Sequence, residues 1–365
     1  MAPPVQDCDP TSVGVAKDDL VIPVTTPLPT LSVLVVVQVI DFDPYLNGTP
    51  AEKHAVGISL TNAFKTSGFL YLKNHGIPPS VVRTVFNTSA EFFARPQHEK
   101  DGLAWTTPQS NRGYVAKGRE KVTQSSDADE IKKLRDTVPD LKESMEMGRD
   151  GVEGLPNQWP DKLDDRGKEF TRTMQNFFQT CKELHIKLMR AVALGMCLPE
   201  HFFDEFTSGG DNNLRLLHYP PVPKSVFKEN VGQVRAGEHS DYGSLTLLFQ
   251  DARGGLQVRS PKDTFIDATP IADTIVINAG DLLARWSNDH IKSTRHRVVE
   301  PPPAPGSEDS DFYPARYSIA CFCNPNHEKF IEALPGTFGG DTGEKKYEGI
   351  NCGDYLVGRL TATYK

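Results

Sequence analysis

The sequence Arg235-Ala236-Gly237-Glu238-His239-Ser240-Asp241-Tyr242-Gly243-Ser244 places a histidine and an aspartate two residues apart at the start of a predicted strand. Side chains at positions i and i+2 of a strand share a face, so His239 and Asp241 should project into the same space. His296 lies in a later predicted strand. Two imidazoles and one carboxylate leave three positions of an octahedral ion open, an arrangement that suits Fe(II). We therefore predict a metal site at His239, Asp241 and His296, although a His-x-Asp pair alone is a weak signal.

Short strands divided by Gly, Pro and Asp dominate the chain from about residue 213 onward. We predict strands over 214–219, 243–250, 255–258, 265–268, 274–278, 293–299 and 316–322. Seven short strands at this spacing predict a sandwich or a barrel, and a jelly roll is the favoured form.

The chain before residue 213 is predicted to be mainly helical or irregular. Helical spacing of apolar residues predicts helices over 55–65, 81–93 and 168–196, and a closing helix over 351–363. A buried strand is predicted over 68–72, whereas 100–165 has the composition of irregular structure. The predicted class is α+β with a mainly β core. We divide the chain into a tail over 1–38, an N-terminal region over 39–165, and a region over 166–365 with the long helix and the jelly roll.

An apolar run, Val33-Leu34-Val35-Val36-Val37, interrupts a polar and proline-dotted N-terminus. Removing 24–38 would join Leu20-Val21-Ile22-Pro23 to Val39-Ile40-Asp41-Phe42 in one strand entry. Valine codons begin with GT and one glutamine codon is CAG, so this segment can begin and end like an intron read in frame. We predict that it is intron-derived; the alternative is a genuine linker in a flexible tail.

The composition of the chain limits the classes of binding partner and the cellular compartment that we expect. The 365 residues carry 40 basic and 48 acidic side chains, and a net charge of −8 argues against nucleic acid as a partner. The apolar run over 31–40 has ten residues, whereas a membrane span needs about 20. Six scattered cysteines without a C-x-x-C pair and an acidic N-terminus predict a cytoplasmic protein without a signal peptide. The sequence gives no sign of a protein partner.

A strand that contains Arg316 is the best candidate for binding an anion. Period two places Arg316 and Ser318 on one face of this strand. A buried arginine needs an anion, and its planar fork suits a carboxylate to which the serine hydroxyl can also donate. The alternative is an arginine on an edge strand, paired with a surface aspartate.

The strand over 213–219 has the same character. Asn213, Arg215, Leu217 and Tyr219 share one of its faces, which gives amide, guanidinium and phenol groups that point together. The opposite face could equally point inward, and Arg215 and Tyr219 would then be ordinary surface residues.

The order His-x-Asp, distal His and Arg-x-Ser resembles the Fe(II)/2-oxoglutarate-dependent dioxygenase superfamily, in the branch that contains isopenicillin N synthase. The resemblance covers nearly all of 39–365. It includes Ser-Gly-Phe-Leu-Tyr at 67–71, Asn-His-Gly-Ile-Pro at 74–78 and Asn-Arg-Gly-Tyr at 111–114. Within the superfamily, the segments 215–220, 235–244 and 323–327 resemble fungal thymine dioxygenases.

The resemblance implies a double-stranded β-helix flanked by N-terminal helices, one long supporting helix and a C-terminal helix. It implies Fe(II) as the cofactor, 2-oxoglutarate and O2 as cosubstrates, and ascorbate as a supporting reductant. The implied metal ligands are His239, Asp241 and His296, and the 5-carboxylate of 2-oxoglutarate would meet Arg316, Ser318 and Tyr219. Plant relatives often carry an asparagine where this chain has Leu217. The contact of that asparagine is either absent here or supplied by another residue, for which Asn213 is the candidate.

The resemblance also implies the substrate and its binding residues. A pyrimidine ring would be held by Arg215, Tyr242 and Phe322, with Asn213 beside them. The implied reaction oxidises the 5-methyl group of thymine to 5-hydroxymethyluracil and onward, with succinate and CO2 as co-products. Two alternatives stay open: an oxygenase of the same mechanism that acts on a fungal secondary metabolite, and a non-catalytic sensor of 2-oxoglutarate or iron. A zinc hydrolase is less well supported because it would not explain Arg316 and Ser318.

Overall fold

A computed structural model describes residues 37–106, 110–118, 140–229, 233–300, 310–340 and 343–364. Its helices are α1 (Asp43–Asn47), α2 (Pro50–Thr66), α3 (Pro79–Phe93), α4 (Gln97–Asp101), α5 (Asp165–Gly195), α6 (Asp204–Thr207), α7 (Ser225–Glu229), α8 (Asp281–Trp286) and α9 (Cys352–Tyr364). Its first eight strands are β1 (Gln38–Asp41), β2 (Phe69–Lys73), β3 (Gly113–Val115), β4 (Glu143–Gly148), β5 (Asn213–Tyr219), β6 (Val222–Pro223), β7 (Ala236–His239) and β8 (Leu245–Gln250). The others are β9 (Leu256–Arg259), β10 (Phe265–Asp267), β11 (Thr274–Ala279), β12 (His296–Val298), β13 (Phe312–Tyr313), β14 (Arg316–Cys323), β15 (Phe330–Ile331) and β16 (Ile350–Asn351).

Two sheets form the centre of the structure. The large sheet has eight strands in the order β1-β2-β11-β8-β14-β5-β4-β3, and the small sheet has four in the order β10-β9-β12-β7. The seven strands predicted beyond residue 213 are all present, with ends shifted by at most three residues. The mixed α+β class with a large β-sheet is therefore confirmed.

The large sheet is buried on both faces, which is why its strands carry apolar residues at successive positions. On one face Ile319 of β14 and Leu247 of β8 pack with Phe177 of α5. On the other face Ala320 of β14 clusters with Val258 of β9, which belongs to the small sheet. Each large apolar side chain buried in this way contributes about 1.5–3 kcal/mol to folding. The space between the two sheets receives the polar side chains of the site.

Helix α5 is the long helix that the sequence predicted. Its buried stripe recurs at helical spacing and comprises Phe170, Met174, Phe177, Cys181, Leu184 and Leu188. Asp164 caps its first turn by accepting a hydrogen bond from the Gly167 amide at 2.7 Å. Helix α2 crosses it closely at Gly57, where a Cβ would lie 2.5 Å from the Ala191 carbonyl oxygen.

The prediction of irregular structure over 100–165 is wrong for β3 and β4. These strands extend the large sheet, since β3 pairs with β4 and β4 pairs with β5. All six residues of β4 are buried although its sequence is Glu-Ser-Met-Glu-Met-Gly. Its acids are buried as ion pairs, Glu143 with Lys100 and Glu146 with Arg215. The partners come from other elements, so the local hydrophobic pattern carries no sign of this strand. The prediction that the His-x-Asp pair begins a strand is wrong, because β7 ends at His239 and Asp241 lies beyond it. Helix α8 was not predicted.

The N-terminal tail ends earlier than the sequence predicted. Strand β1 begins at Gln38 and pairs in parallel with β2, and Val37 is already buried. Residues 1–36 lie outside the described residues, so the intron origin of 24–38 stays a prediction. Within the described part of the chain, no helix has the length and apolar character needed to cross a membrane.

Candidate active site

The three predicted metal ligands lie together between the sheets. His239 ends β7 and His296 begins β12, and the two residues are directly paired across these antiparallel strands. Asp241 lies just beyond the end of β7. The Nε2 atoms of His239 and His296 each lie 3.9 Å from Asp241 Oδ1. One ligand atom from each residue falls within 4.8 Å of the others, and the described residues contain no second such group.

Hydrogen bonds orient these ligands toward a common point. His239 Nδ1 lies 2.8 Å from the Gly237 carbonyl oxygen, which only accepts, so Nδ1 donates and Nε2 keeps its lone pair. Asp241 Oδ2 accepts from Thr246 Oγ1 at 2.6 Å and from Asn278 Nδ2 at 2.7 Å. These contacts leave Oδ1 facing the two histidines. Such outer contacts fix the geometry of metal ligands. Thr246 and Asn278 were not predicted from the sequence to have this role.

The electrostatics of the group favour the forms that bind a metal. Burial, and then the charge of His296, lower the pKa of His239 to about 4. Burial alone would raise the pKa of Asp241, but the charges of His296 and His239 and its two hydrogen bonds outweigh it, so this pKa lies below its ordinary value. Neutral imidazoles and an ionised carboxylate are the forms that coordinate metal ions, so this donor set fits Fe(II).

Arg316, the first residue of β14, is a buried cation whose described partners are all neutral. Its Nε donates to the Gly254 carbonyl at 2.9 Å, and one terminal nitrogen donates to Ser318 Oγ at 3.1 Å. Its guanidinium carbon lies 4.9 Å from the centre of the Tyr219 ring. Arg316 and Ser318 are each 1% exposed, so the alternative of an edge-strand arginine at the surface is wrong. The structure thus brings the three predicted 2-oxoglutarate residues together around an unneutralised charge, which fits a carboxylate.

Arg235 is a second buried arginine, which precedes His239 in the motif but was not predicted to belong to the site. It is fully buried and donates to the Pro314 carbonyl at 3.2 Å. Its Nε and its other terminal nitrogen have no hydrogen-bond partner among the described residues. Burial, and then the positive charge of Arg316, lower the pKa of Arg235 to about 10. Arg235 directly precedes β7, and its place in the motif next to His239 was the only signal in the sequence.

A cavity of about 200 Å³ opens beside the metal group. The four residues predicted to bind the substrate all line it: Asn213, Arg215, Tyr242 and Phe322. The Arg215 guanidinium carbon lies 5.3 Å from the centre of the Phe322 ring. Helix α9 contributes an apolar wall to the cavity through Leu356, Val357 and Leu360.

The inward face of β5 is the one that carries the predicted residues. Tyr219 belongs to the apolar cluster between the sheets, whereas Leu214 and Leu216 pack on the helical side. His218 also points away from the cavity, with its Nδ1 2.7 Å from Glu143 Oε1. The alternative in which the opposite face of β5 points inward is therefore wrong.

Three residues of the cavity lining each carry one buried amide atom without a hydrogen-bond partner among the described residues. Two are acceptors, Asn111 Oδ1 and Asn213 Oδ1, and one is a donor, Asn212 Nδ2. Asn213 Nδ2 is used to donate to the Asn111 carbonyl at 2.8 Å, which holds the two residues together. Buried polar groups in proteins are usually paired, so these atoms point to a ligand with both donors and acceptors. Neither Asn111 nor Asn212 was predicted from the sequence to belong to the site.

Glu146 lies behind the cavity against Arg215. Its Oε1 is 2.9 Å from a terminal nitrogen of Arg215, and the two residues are directly paired between β4 and β5. The Glu146 side chain is 1% exposed. Glu146 was not predicted to belong to the site because its strand, β4, was not predicted.

Comparisons with known proteins agree with this geometry. Residues 37–162 match the family model described as the non-haem dioxygenase in morphine synthesis N-terminal, and 210–325 match that of the 2OG-Fe(II) oxygenase superfamily. The 2-oxoglutarate-Fe(II) type oxidoreductase ppzD of Metarhizium rileyi is 35% identical over 90% of this chain and 91% of its own length. The chain belongs to the 2OG-Fe(II) oxygenase superfamily. As a member, it is a 2-oxoglutarate-dependent dioxygenase that uses Fe(II) and 2-oxoglutarate.

Two further relatives bear on the substrate of this superfamily member. The full-length thymine 7-hydroxylase of Neurospora crassa, solved with alpha-KG (2-oxoglutarate) and thymine, is 58% identical, with a TM-score of 0.82 over 90% of this chain and 97% of that one. The proline hydroxylase buaE of Petromyces alliaceus is 33% identical over 90% of this chain and 99% of its own length.

Proposed function

We propose that this oxygenase oxidises the 5-methyl group of free thymine, first to 5-hydroxymethyluracil and then onward. The observation that carries the proposal is the cavity beside the metal group, with its aromatic ring, its guanidinium and its unpartnered amide atoms. Its volume of about 200 Å³ lies below the ~300–1,000 Å³ of sites for drug-sized ligands, which favours a small substrate.

Thymine matches this lining group by group. Its flat ring can stack on Phe322, and its two carbonyl oxygens can accept from Arg215 and from Asn212 Nδ2. Its two ring N–H groups need acceptors, and Asn111 Oδ1 and Asn213 Oδ1 are acceptors without another described partner. The likeness to a thymine 7-hydroxylase solved with thymine bound supports the same substrate.

Each part of the site then has a task in the reaction thymine + 2-oxoglutarate + O2 → 5-hydroxymethyluracil + succinate + CO2. His239, Asp241 and His296 would hold Fe(II) and leave positions open on one side. Bound Fe(II) supplies the activation of O2 that couples decarboxylation of 2-oxoglutarate to hydroxylation.

The remaining residues bind and position the two organic molecules. The 5-carboxylate of 2-oxoglutarate would bind Arg316, Ser318 and Tyr219, while Phe322 and Tyr242 would fix the plane of the ring. The apolar wall from α9 would exclude water from the reacting methyl group. Within this proposal the two sheets form the jelly roll, a double-stranded β-helix. We also propose that the enzyme is cytoplasmic, and cell fractionation tests this location.

The test is turnover by purified protein with Fe(II), ascorbate, 2-oxoglutarate and thymine. We expect release of succinate together with 5-hydroxymethyluracil, identified by mass spectrometry. Uracil is the matched control, because it has the same ring edges but no methyl group and should yield no hydroxylated product. Succinate release that does not respond to thymine, from iron-loaded and folded protein, would contradict the proposal.

The fungal relatives favour one second candidate, an oxygenase of the same mechanism that acts on a secondary metabolite. A relative named as a proline hydroxylase makes a proline-containing compound the first to try. A panel of candidate substrates, followed by succinate release, separates this candidate from thymine oxidation. The alternative of a non-catalytic sensor is not supported, because the chain belongs to the dioxygenase family.

A further inference from the structure

Arg215 reaches the cavity as half of a buried ion pair. Its side chain lines the cavity, whereas Glu146 lies behind it and is 1% exposed. The N···O distance of 2.9 Å is that of a charge-assisted hydrogen bond. Ser144 Oγ also lies 3.4 Å from the same carboxylate oxygen, and the pairing of β4 with β5 fixes the position of Glu146.

This pairing changes what Arg215 offers to a ligand. A buried guanidinium without a counter-charge binds carboxylates strongly, as the unneutralised Arg316 is placed to do. A guanidinium beside a buried carboxylate keeps its N–H donors but presents little net charge to the cavity. A neutral carbonyl then gains a hydrogen bond, whereas an anionic ligand gains little attraction and meets the repulsion of Glu146.

We propose that Glu146 is the residue that sets the charge preference of the cavity. Because of Glu146, the cavity binds uncharged rings and releases carboxylates. The inference rests on the proposed function. Successive oxidations of one methyl carbon give an alcohol, an aldehyde and finally a carboxylate, and only the last is charged. Glu146 therefore acts through Arg215 as a positioning residue that lowers the affinity for the end product.

The test compares two ring compounds that differ in charge, uracil-5-carboxylate and uracil-5-carboxamide. Their dissociation constants are measured by calorimetry under anaerobic conditions, on protein loaded with Fe(II) and 2-oxoglutarate. In E146Q the carboxylate should bind at least tenfold more tightly than in the wild type, while the affinity for the carboxamide changes less than threefold. In turnover, E146Q should show stronger inhibition by the carboxylate.

Two controls separate charge from packing. Glu143 is a buried glutamate of the same strand that contacts His218 on the opposite side, so E143Q should leave the ratio of the two affinities unchanged. The double variant E146Q/R215Q removes both charges and should lose the gain in carboxylate affinity.

An unchanged ratio in folded E146Q with normal 2-oxoglutarate binding would overturn the inference. If E146Q does not fold, E146D, which withdraws the charge by one methylene, should show a smaller shift in the same direction, and no shift there overturns it too. Binding is measured without turnover, so the two proposals can fail separately. If the wild type does not oxidise thymine but E146Q still shifts the ratio of the two affinities, the proposed function is rejected and this inference stands.

Discussion

Asn278 shows how single residues in the interior serve the metal ligands rather than the fold. Its Nδ2 donates to the Asp241 oxygen that points away from the histidines. Removing one such outer contact costs about 10–100-fold in metal affinity in known metal sites. We therefore expect Asn278→Ala to weaken Fe(II) binding by a factor in that range, measured by competition with a chelator. Asn62→Ala, on the exposed side of α2, is the control and should not change it.

Arg316 is the residue on which 2-oxoglutarate binding should depend most. Truncating one partner of a buried, hydrogen-bonded charge pair costs about 2–5 kcal/mol, which is about 30-fold or more in affinity. We expect Arg316→Gln to raise the dissociation constant for 2-oxoglutarate by at least that factor in calorimetry. Arg253→Gln removes an exposed arginine and should have no effect. Equal affinities in the two variants would show that 2-oxoglutarate binds elsewhere.

At this scale the sequence predicted residues that follow a simple period and missed those that depend on a distant partner. Arg316 and Phe322 were predicted because alternation along β14 places them on one face. His239 was predicted from its His-x-Asp spacing, although Asp241 lies beyond the end of β7. Glu146 and Asn278 act across strands that are far apart in the chain. No local pattern marks a buried acid whose counter-charge lies in another strand.

Helices α2 and α5 illustrate how one glycine permits the approach of two elements. A Cβ at Gly57 would lie 2.5 Å from the Ala191 carbonyl oxygen and 3.0 Å from the Gly195 amide nitrogen, and these backbone atoms of α5 cannot rotate away. We expect Gly57→Ala to lower the free energy of unfolding by about 1–3 kcal/mol, the usual cost of overpacking, in urea titrations. Gly358→Ala in α9 is the matched control, because its Cβ would meet nothing within 4 Å. That variant should be neutral or stabilised by up to about 1 kcal/mol.

Helices and strands could be predicted where the pattern of their own residues determines the secondary structure. The stripe on α5 and the apolar runs of β8, β11 and β14 lie in single segments, so periodicity found them. Strand β4 escaped because two of its six residues are glutamates that become buried only through Lys100 and Arg215. Tertiary pairing overrides local composition there.

The molecule as a whole should lose stability in mild acid, and His185 in α5 is one cause. Ser244 donates its hydroxyl to the Cys323 carbonyl, so its oxygen accepts from His185 Nε2 at 3.0 Å. His185 Nδ1 is buried without a hydrogen-bond partner among the described residues, and burial lowers the pKa of His185 from 6.5 to about 3. The folded protein therefore holds His185 as the neutral imidazole near pH 7. Below pH 6.5 the unfolded chain binds a proton that the folded chain does not, so stability falls as pH decreases toward 3.

The free energy of unfolding should fall by about 1.4 kcal/mol per pH unit in that range, or by about 2 kcal/mol between pH 7 and pH 5. Urea titrations at several pH values measure it. His185→Gln should be less stable at pH 7 but should lose less stability on acidification than the wild type. His201→Gln removes an exposed histidine and should keep the wild-type slope. Parallel slopes for His185→Gln and the wild type would show that His185 does not cause the loss.

The pairing of His239 with His296 also has a mechanical consequence for the small sheet. Strand β7 is an edge strand of that sheet, and its register with β12 shifts between His296 and Val298. An ion that binds both histidines therefore cross-links an edge strand to its neighbour, and it stabilises the folded state by mass action. Removal of the ion by a chelator should loosen this edge first. Amide hydrogen exchange should then accelerate more in β7 than in β8. Iron would then keep the sheet closed as well as serve the chemistry, so iron-starved cells would hold a more readily degraded protein.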